Sequence, residues 1–241
     1  MIQKIITLCK KELLTSFYSP VFYGTGALFL FFLSFWLYYL QAFFAMDTTS
    51  LRAFFSAFPI VYILVIPAIT MKSWAEEKKL GTVEILFTMP FSEWELCLGK
   101  FISSFIVLLV YIFLTLPVPL SLLPLGRFDF GVIATEYAGS ILLGAAAISF
   151  GLFFSAVSKN QAAAFLGSAL MFLVLMLIDR LVMAFNLPPG LSSFLNYFSL
   201  SFHFESFSRG ILDSRDMAFF LLTVFLFLFL STRQLIFRKW N

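Results

Sequence analysis

Charge is scarce in this chain. Asp, Glu, Lys and Arg make up 12% of its 241 residues, where soluble domains carry about 25%. Histidine occurs once, at His203, and cysteine twice, at Cys9 and Cys97. One histidine with no cysteine beside it cannot supply the ligand set of a typical metal site, so no metal site is expected. Cys9 and Cys97 both fall on the side assigned below to the cytoplasm, where a disulfide does not persist, and read as small apolar fillers. The H-E-x-x-H, G-x-S-x-G and G-x-x-x-x-G-K-[ST] patterns are missing. The one Gly-Lys pair, Gly99-Lys100, lacks the first glycine of a phosphate loop. No catalytic and no cofactor-binding residues are therefore assigned, and the chain has no phosphate loop with which to hold ATP. A net charge of +3, dispersed along the sequence, argues against nucleic-acid binding. Lys4, Lys10 and Lys11 are spread out and no short apolar core with a cleavage site follows, so the N-terminus does not read as a signal peptide.

What the chain does have is hydrocarbon. It is 61% hydrophobic with 35 phenylalanines and a mean hydropathy of +0.98. The sequence predicts an all-α integral membrane protein, a single transmembrane domain over 1–241 with six transmembrane helices. Residues 1–18 form an amphipathic helix for the membrane surface. Ile2, Ile5, Ile6, Cys9, Leu13 and Phe17 share one face, Lys4, Lys10, Lys11 and Thr15 lie away from it, and Leu8 and Leu14 sit off the stripe. Ser19-Pro20 marks its break from the first span, because the residue before proline is pushed out of helical geometry.

The spans are placed at 20–44, 54–71, 101–123, 137–157, 162–185 and 217–232. The last has only 16 residues, fewer than the usual 17 or more. Pro59 and Pro67 predict a kinked second span packed among neighbours, and Pro117, Pro119 and Pro124 a distorted end to the third. The fourth span is rich in small residues (Gly139, Gly144 to Ala147, Gly151). So is the start of the fifth (Ala162 to Ala169), which predicts a close hairpin between the two. Residues 186–216 read as an outer loop with one or two short helices. The lysines and arginines set the orientation. Lys4, Lys10, Lys11, Lys72, Lys78, Lys79, Lys100, Lys159, Arg233, Arg238 and Lys239 fall on one side, which the positive-inside rule makes cytoplasmic, with both termini.

Few ionisable groups enter the membrane. Asp179-Arg180, near the outer end of the fifth span, reads as a membrane-edge ion pair. Glu136, at the outer start of the fourth, reads as solvated, and His203 lies in the outer loop. The one long polar stretch is 72–100, between the second and third spans. Gly81-Thr82 is placed to end one short helix and cap another. Glu84 then falls in a first turn, where negative charge suits the helix dipole. Pro90 breaks the segment, and Ser92 with Glu95 forms an S-x-x-E capping box for the third span.

The same stretch carries a resemblance. Trp74-Ala75-Glu76-Glu77-Lys78-Lys79-Leu80-Gly81-Thr82-Val83-Glu84-Ile85-Leu86, then Met89-Pro90-Phe91-Ser92, Glu95 and Gly99-Lys100, is similar to the signature loop of ABC transporter permeases of the type-2 exporter class. The six-span plan, the N-terminal helix and the outer loop before the last span extend the likeness over the whole chain. The subgroup it resembles most is that of gliding-motility permeases, with nitrous-oxide-reductase maturation permeases close behind. The resemblance implies a cytoplasmic coupling helix between spans 2 and 3 that docks on a separate ABC ATPase subunit, which binds the ATP and Mg. It nominates Glu76, Glu77, Gly81, Thr82, Glu84, Pro90, Gly99 and Lys100 for that interface, with Leu86, Phe87 and Met89 as a docking ridge. It further implies a second permease copy or paralogue, room for an accessory membrane or periplasmic subunit, the inner membrane as location, and export as direction. The nearly uncharged, aromatic interior suits an amphipathic or lipid-linked cargo. A non-transporting anchor that passes ATPase motion on remains as an alternative. A secondary carrier is less favoured because matched interrupted helices are missing.

Overall fold

A computed structural model describes residues 2–41, 51–122, 128–185 and 188–239; within these the side chains of Ile85, Phe87, Arg238 and Lys239 are not described. Residues 45–50 of the first outer loop and 126–127 of the second fall outside the described residues. Every regular element described is helical.

α1 (Ile2–Tyr18) ends at Ser19, whose extended backbone and side chain cap α2 (Pro20–Phe35). α2 continues as a π-helical turn, Trp36–Leu40. A short α3 (Arg52–Phe55) leads into α4 (Ala57–Thr70), then α5 (Lys72–Leu80) and α6 (Thr82–Thr88). α7 (Glu93–Phe113) starts eight residues before the expected third span and gives way to a separate α8 (Pro117–Leu122). The proline-rich sequence at 117–124 explains that interruption. α9 (Phe130–Val157) is seven residues longer at its start than expected, and α10 (Gln161–Ala184) follows after a tight turn. α11 (Pro189–Asn196) and α12 (Leu200–Ser208) fold the outer loop. α13 (Ser214–Lys239) has 26 residues, which corrects the short sixth span. Its basic tail carries the helix on, since Lys and Arg are good helix formers and need no lipid burial. Among the described residues, six helical stretches are long and apolar enough to cross a membrane.

α9 is the hub: α4, α5, α7, α10, α12 and α13 all pack on it, and it is the most enclosed of the six. In lipid no hydrophobic force drives helices together, so close contact must supply the cohesion. A Cβ on Gly151 would lie 2.0 Å from Thr70 Oγ1, so the end of α4 rests directly on the α9 backbone. Gly167 of α10 takes Phe154 of α9 in the same way, giving the hairpin between the fourth and fifth spans. Hydroxyls in the spans bond back to carbonyls of their own helix, as Thr70 does to Ile66 and Thr232 to Leu228, so they reach lipid depth satisfied.

Candidate functional site

The polar stretch folds into two short helices rather than one. Gly81 stands at φ +71°, a left-handed conformation that costs glycine little, and its amide closes α5 on Glu77 and Lys78 carbonyls. Thr82 opens α6 without capping it. Its hydroxyl instead donates to the Glu77 carbonyl at 3.3 Å, turning back to α5. Glu84 lies in the first turn of α6, exposed to solvent. After α6, Ser92 and Glu95 form the reciprocal capping box that starts α7.

Two clamps hold this pair of helices to the bundle. The first is on α9. Ser155 Oγ accepts from the Trp74 and Ala75 amides at 3.0 and 3.1 Å and donates to the Met71 carbonyl. These amides are among the orphan donors of the α5 start. In return, Lys78 Nζ donates to the carbonyls of Ser155, Ala156 and Ser158. Its ammonium thus sits at the negative end of the longest helix of the bundle. Each helix supplies the cap of the other.

The second clamp is a buried charge cluster. Lys100 Nζ, on α7, is 1% exposed and donates to Glu77 Oε1 at 2.8 Å and Glu12 Oε1 at 3.2 Å. Lys11 adds contacts of 3.1 Å to Glu12 and 3.7 Å to Glu77. Lys100 also lies 4.7 Å from the centroid of the buried Trp74 ring, a cation–π distance. One lysine therefore ties together α1, α5 and α7. Burial alone would raise the Glu12 carboxyl, but the Lys100 and Lys11 ammoniums outweigh it and hold it below its ordinary value. Burial likewise pulls Lys11 down, and Glu12 with Glu77 more than restores it, leaving it above.

Several expected roles change with this geometry. Glu77 and Lys100 are internal ties, not free contacts, and Gly99 lies under Leu8: its Cβ would meet Leu8 Cδ2 at 2.6 Å. Leu8, off the apolar stripe, is thus buried by α1 together with Cys9 of the stripe, while Ile2 and Ile6 stay exposed. Glu76 lines a cavity beneath α1. Leu86 is half-buried against the core, the side chain of Phe87 is outside the described residues, and Met89 is 45% exposed. The Pro90 carbonyl accepts from Lys4 of α1. The outward face of the pair is left to Gly81, Thr82, Glu84, Met89 and Pro90.

At the other end of the molecule, Asp179 and Arg180 form no ion pair with each other among the described residues, and Asp179 Oδ1 is buried without a hydrogen-bond partner. Arg180 is exposed while Asp179 is half-buried, so the two side chains sit in different surroundings. Glu136 is not solvated: it is fully buried, with neither carboxylate oxygen hydrogen-bonded. It lies within α9, on which α3, α4 and α12 all pack. His203 is buried too, with Nδ1 2.6 Å from Asp216 Oδ1 and Nε2 3.0 Å from the Tyr197 carbonyl, joining α12 to the start of α13. The sequence named Trp74 and Lys78 only as part of the loop motif, with no tie to the bundle, and did not single out Glu12 and Ser155. Glu12 left a signal as the lone acid on α1; nothing in the pattern marks Ser155.

No curated protein matches this sequence. Residues 46–233, well over half the chain, match the family described as ABC-2 family transporter protein. The chain therefore belongs to the ABC-2 family of transporter proteins, as a multi-pass membrane permease component.

Proposed function

We propose that this permease is the membrane subunit of an ATP-driven exporter, and that α5 and α6 dock on a separate ABC ATPase that binds the ATP and Mg. Two permease copies, or this chain and a paralogue, pair with two ATPase subunits in the inner membrane, with both termini and the α5–α6 pair in the cytoplasm. The cargo class is amphipathic or lipid-linked, consistent with spans nearly free of charge, and the subgroup resemblance to gliding-motility and nitrous-oxide-reductase maturation permeases belongs to the same reading.

One observation carries it. The α5–α6 pair presents Glu84 and Met89 outward while its inner face is fastened to α1, α7 and α9 by Lys100 and Lys78. A solvated loop needs neither tie. A load applied at α6 would reach three helices at once, which is what switching a bundle between two states requires.

The test is ATP hydrolysis carried by tagged permease purified from native membranes. Glu84→Lys combined with Met89→Asp is expected to lower it about tenfold or more, the scale of losing one or two interface anchors. The variant should still insert in the membrane and melt like the wild type, because both positions are exposed. Undiminished hydrolysis would count against docking through α6.

A further inference from the structure

A cavity of about 490 Å³ opens between α1, the start of α2, the α4–α5 junction and α7. That lies within the roughly 300–1,000 Å³ of small-molecule sites. Its two ends differ in chemistry. One end holds Lys72, Glu76, Glu77 and Lys100; the other is walled mainly by Phe22, Ile69, Val107 and Tyr111, with the Thr25 hydroxyl there bonded to Tyr111 and to its own helix. Lys100 and Tyr111 are eleven residues apart on one helix face of α7, so the cavity runs about 16 Å into the span region at 1.5 Å per residue. A charged mouth over an apolar shaft of that depth fits an amphiphile, not a soluble metabolite.

The charges at the mouth specify more. Lys11, Lys72 and Lys100 are balanced by Glu12, Glu76 and Glu77, all lining the cavity. The ion cluster uses up Lys11, Lys100, Glu12 and one oxygen of Glu77. Three groups remain. Lys72 and Glu76 form no ion pair among the described residues, and Glu77 Oε2 is buried with no hydrogen-bond partner. A net-neutral ligand carrying both signs answers this set. Lys72 and Glu76 are one turn apart on α5, about 5–6 Å between Cβ atoms, a spacing that suits a phosphate and an ammonium two carbons away. Glu77 Oε2 calls for an N–H donor, which a primary ammonium has and a quaternary one lacks.

We propose that this cavity binds one zwitterionic phospholipid of the phosphoethanolamine class, taken from the leaflet beside α1. Lys72 contacts the phosphate, Glu76 and Glu77 Oε2 receive the ammonium, and one acyl chain follows α7 toward Tyr111. The bound lipid completes the wall between α1, α5 and α7. This needs no ATPase partner, and it stands or falls apart from the docking of α6.

The test is titration of the delipidated, detergent-solubilised chain, read by native mass spectrometry. The probes are short-chain phosphatidylethanolamine, phosphatidylcholine, phosphatidylglycerol and free phosphoethanolamine. The expected result is one phosphatidylethanolamine per chain, bound at least tenfold more tightly than each other probe. Lys72→Ala and Glu76→Gln should each weaken it severalfold. Neither side chain has an ion-pair partner to lose, so both variants should melt within about 2 °C of wild type. Val107→Trp, which fills the shaft, should weaken the lipid while leaving Lys72 and Glu76 in place. Equal binding of phosphatidylcholine would overturn the ammonium assignment. Equal binding of free phosphoethanolamine would overturn the lipid, and indifference to both charge variants would overturn the site.

Discussion

Lys100 shows how much one side chain can carry in a protein with few charges. Its ammonium is enclosed, and its two carboxylate partners are each about 15% exposed. Removing it leaves Glu12 and Glu77 facing each other with only the exposed Lys11 ammonium to offset them. Lys100→Ala is therefore expected to cost about 3–5 kcal/mol, the range for breaking a buried pair, seen as a lower melting temperature in detergent. Adding Glu12→Gln and Glu77→Gln should recover part of that loss; a triple variant no more stable than the single one would argue that the cluster is not the cause. The same cluster predicts a pH dependence. The Glu12 carboxyl is held below its ordinary value of 4.5. Its contribution is complete above that pH and is lost as pH falls through the lower folded value. Melting temperature should drop more steeply below about pH 4.5 in wild type than in Glu12→Gln, and matching acid limbs would contradict it. In the sequence Lys100 holds a motif position but shows no partners, because Glu12 and Glu77 lie 88 and 23 residues away. Only the fold brings such groups together.

Helix–helix contact is the element-scale matter, and α9 decides it. Gly151→Val would drive a side chain into Thr70 of α4. Overpacking of this kind costs about 1–3 kcal/mol, and replacing Thr70 by Ala as well should restore part of it. Gly24 is the control: a Cβ there meets nothing within 4 Å, so Gly24→Ala should be neutral or slightly stabilising in melting scans. Ser155→Ala orphans the Trp74 and Ala75 amides and is expected to cost about 1–2 kcal/mol, as lost helix caps do. At this scale the sequence was informative wherever the signal is local. The Ser19-Pro20 break, the Ser92–Glu95 box and the Gly81 turn are legible because proline, a hydroxyl three residues from a glutamate, and a glycine act on their own backbone. Helix ends set by packing were not. α7, α9 and α13 all extend past the apolar runs that hydropathy detects, because a helix persists where its side chains turn polar. The burial of Glu136 and the His203–Asp216 contact were equally hidden, since both depend on how separate helices pack at the outer end of the bundle.

For the whole molecule, the membrane class and the six crossings follow from composition and apolar run length alone, and the family follows from a match over 46–233. A route runs from the α5–α6 pair into the bundle, through Lys78 and Ser155 to α9 and through Lys100 to α1 and α7. By this route the pair and the hub helix are expected to move as one piece. Hydrogen–deuterium exchange of the permease–ATPase complex with and without Mg-ATP tests this most directly. In the wild type, nucleotide should change exchange in α5–α6 and in the last turn of α9, Phe154 to Val157, together. In Lys78→Ala with Ser155→Ala the change should remain in α5–α6 and vanish from α9. An α9 response that survives in the double variant would contradict the account.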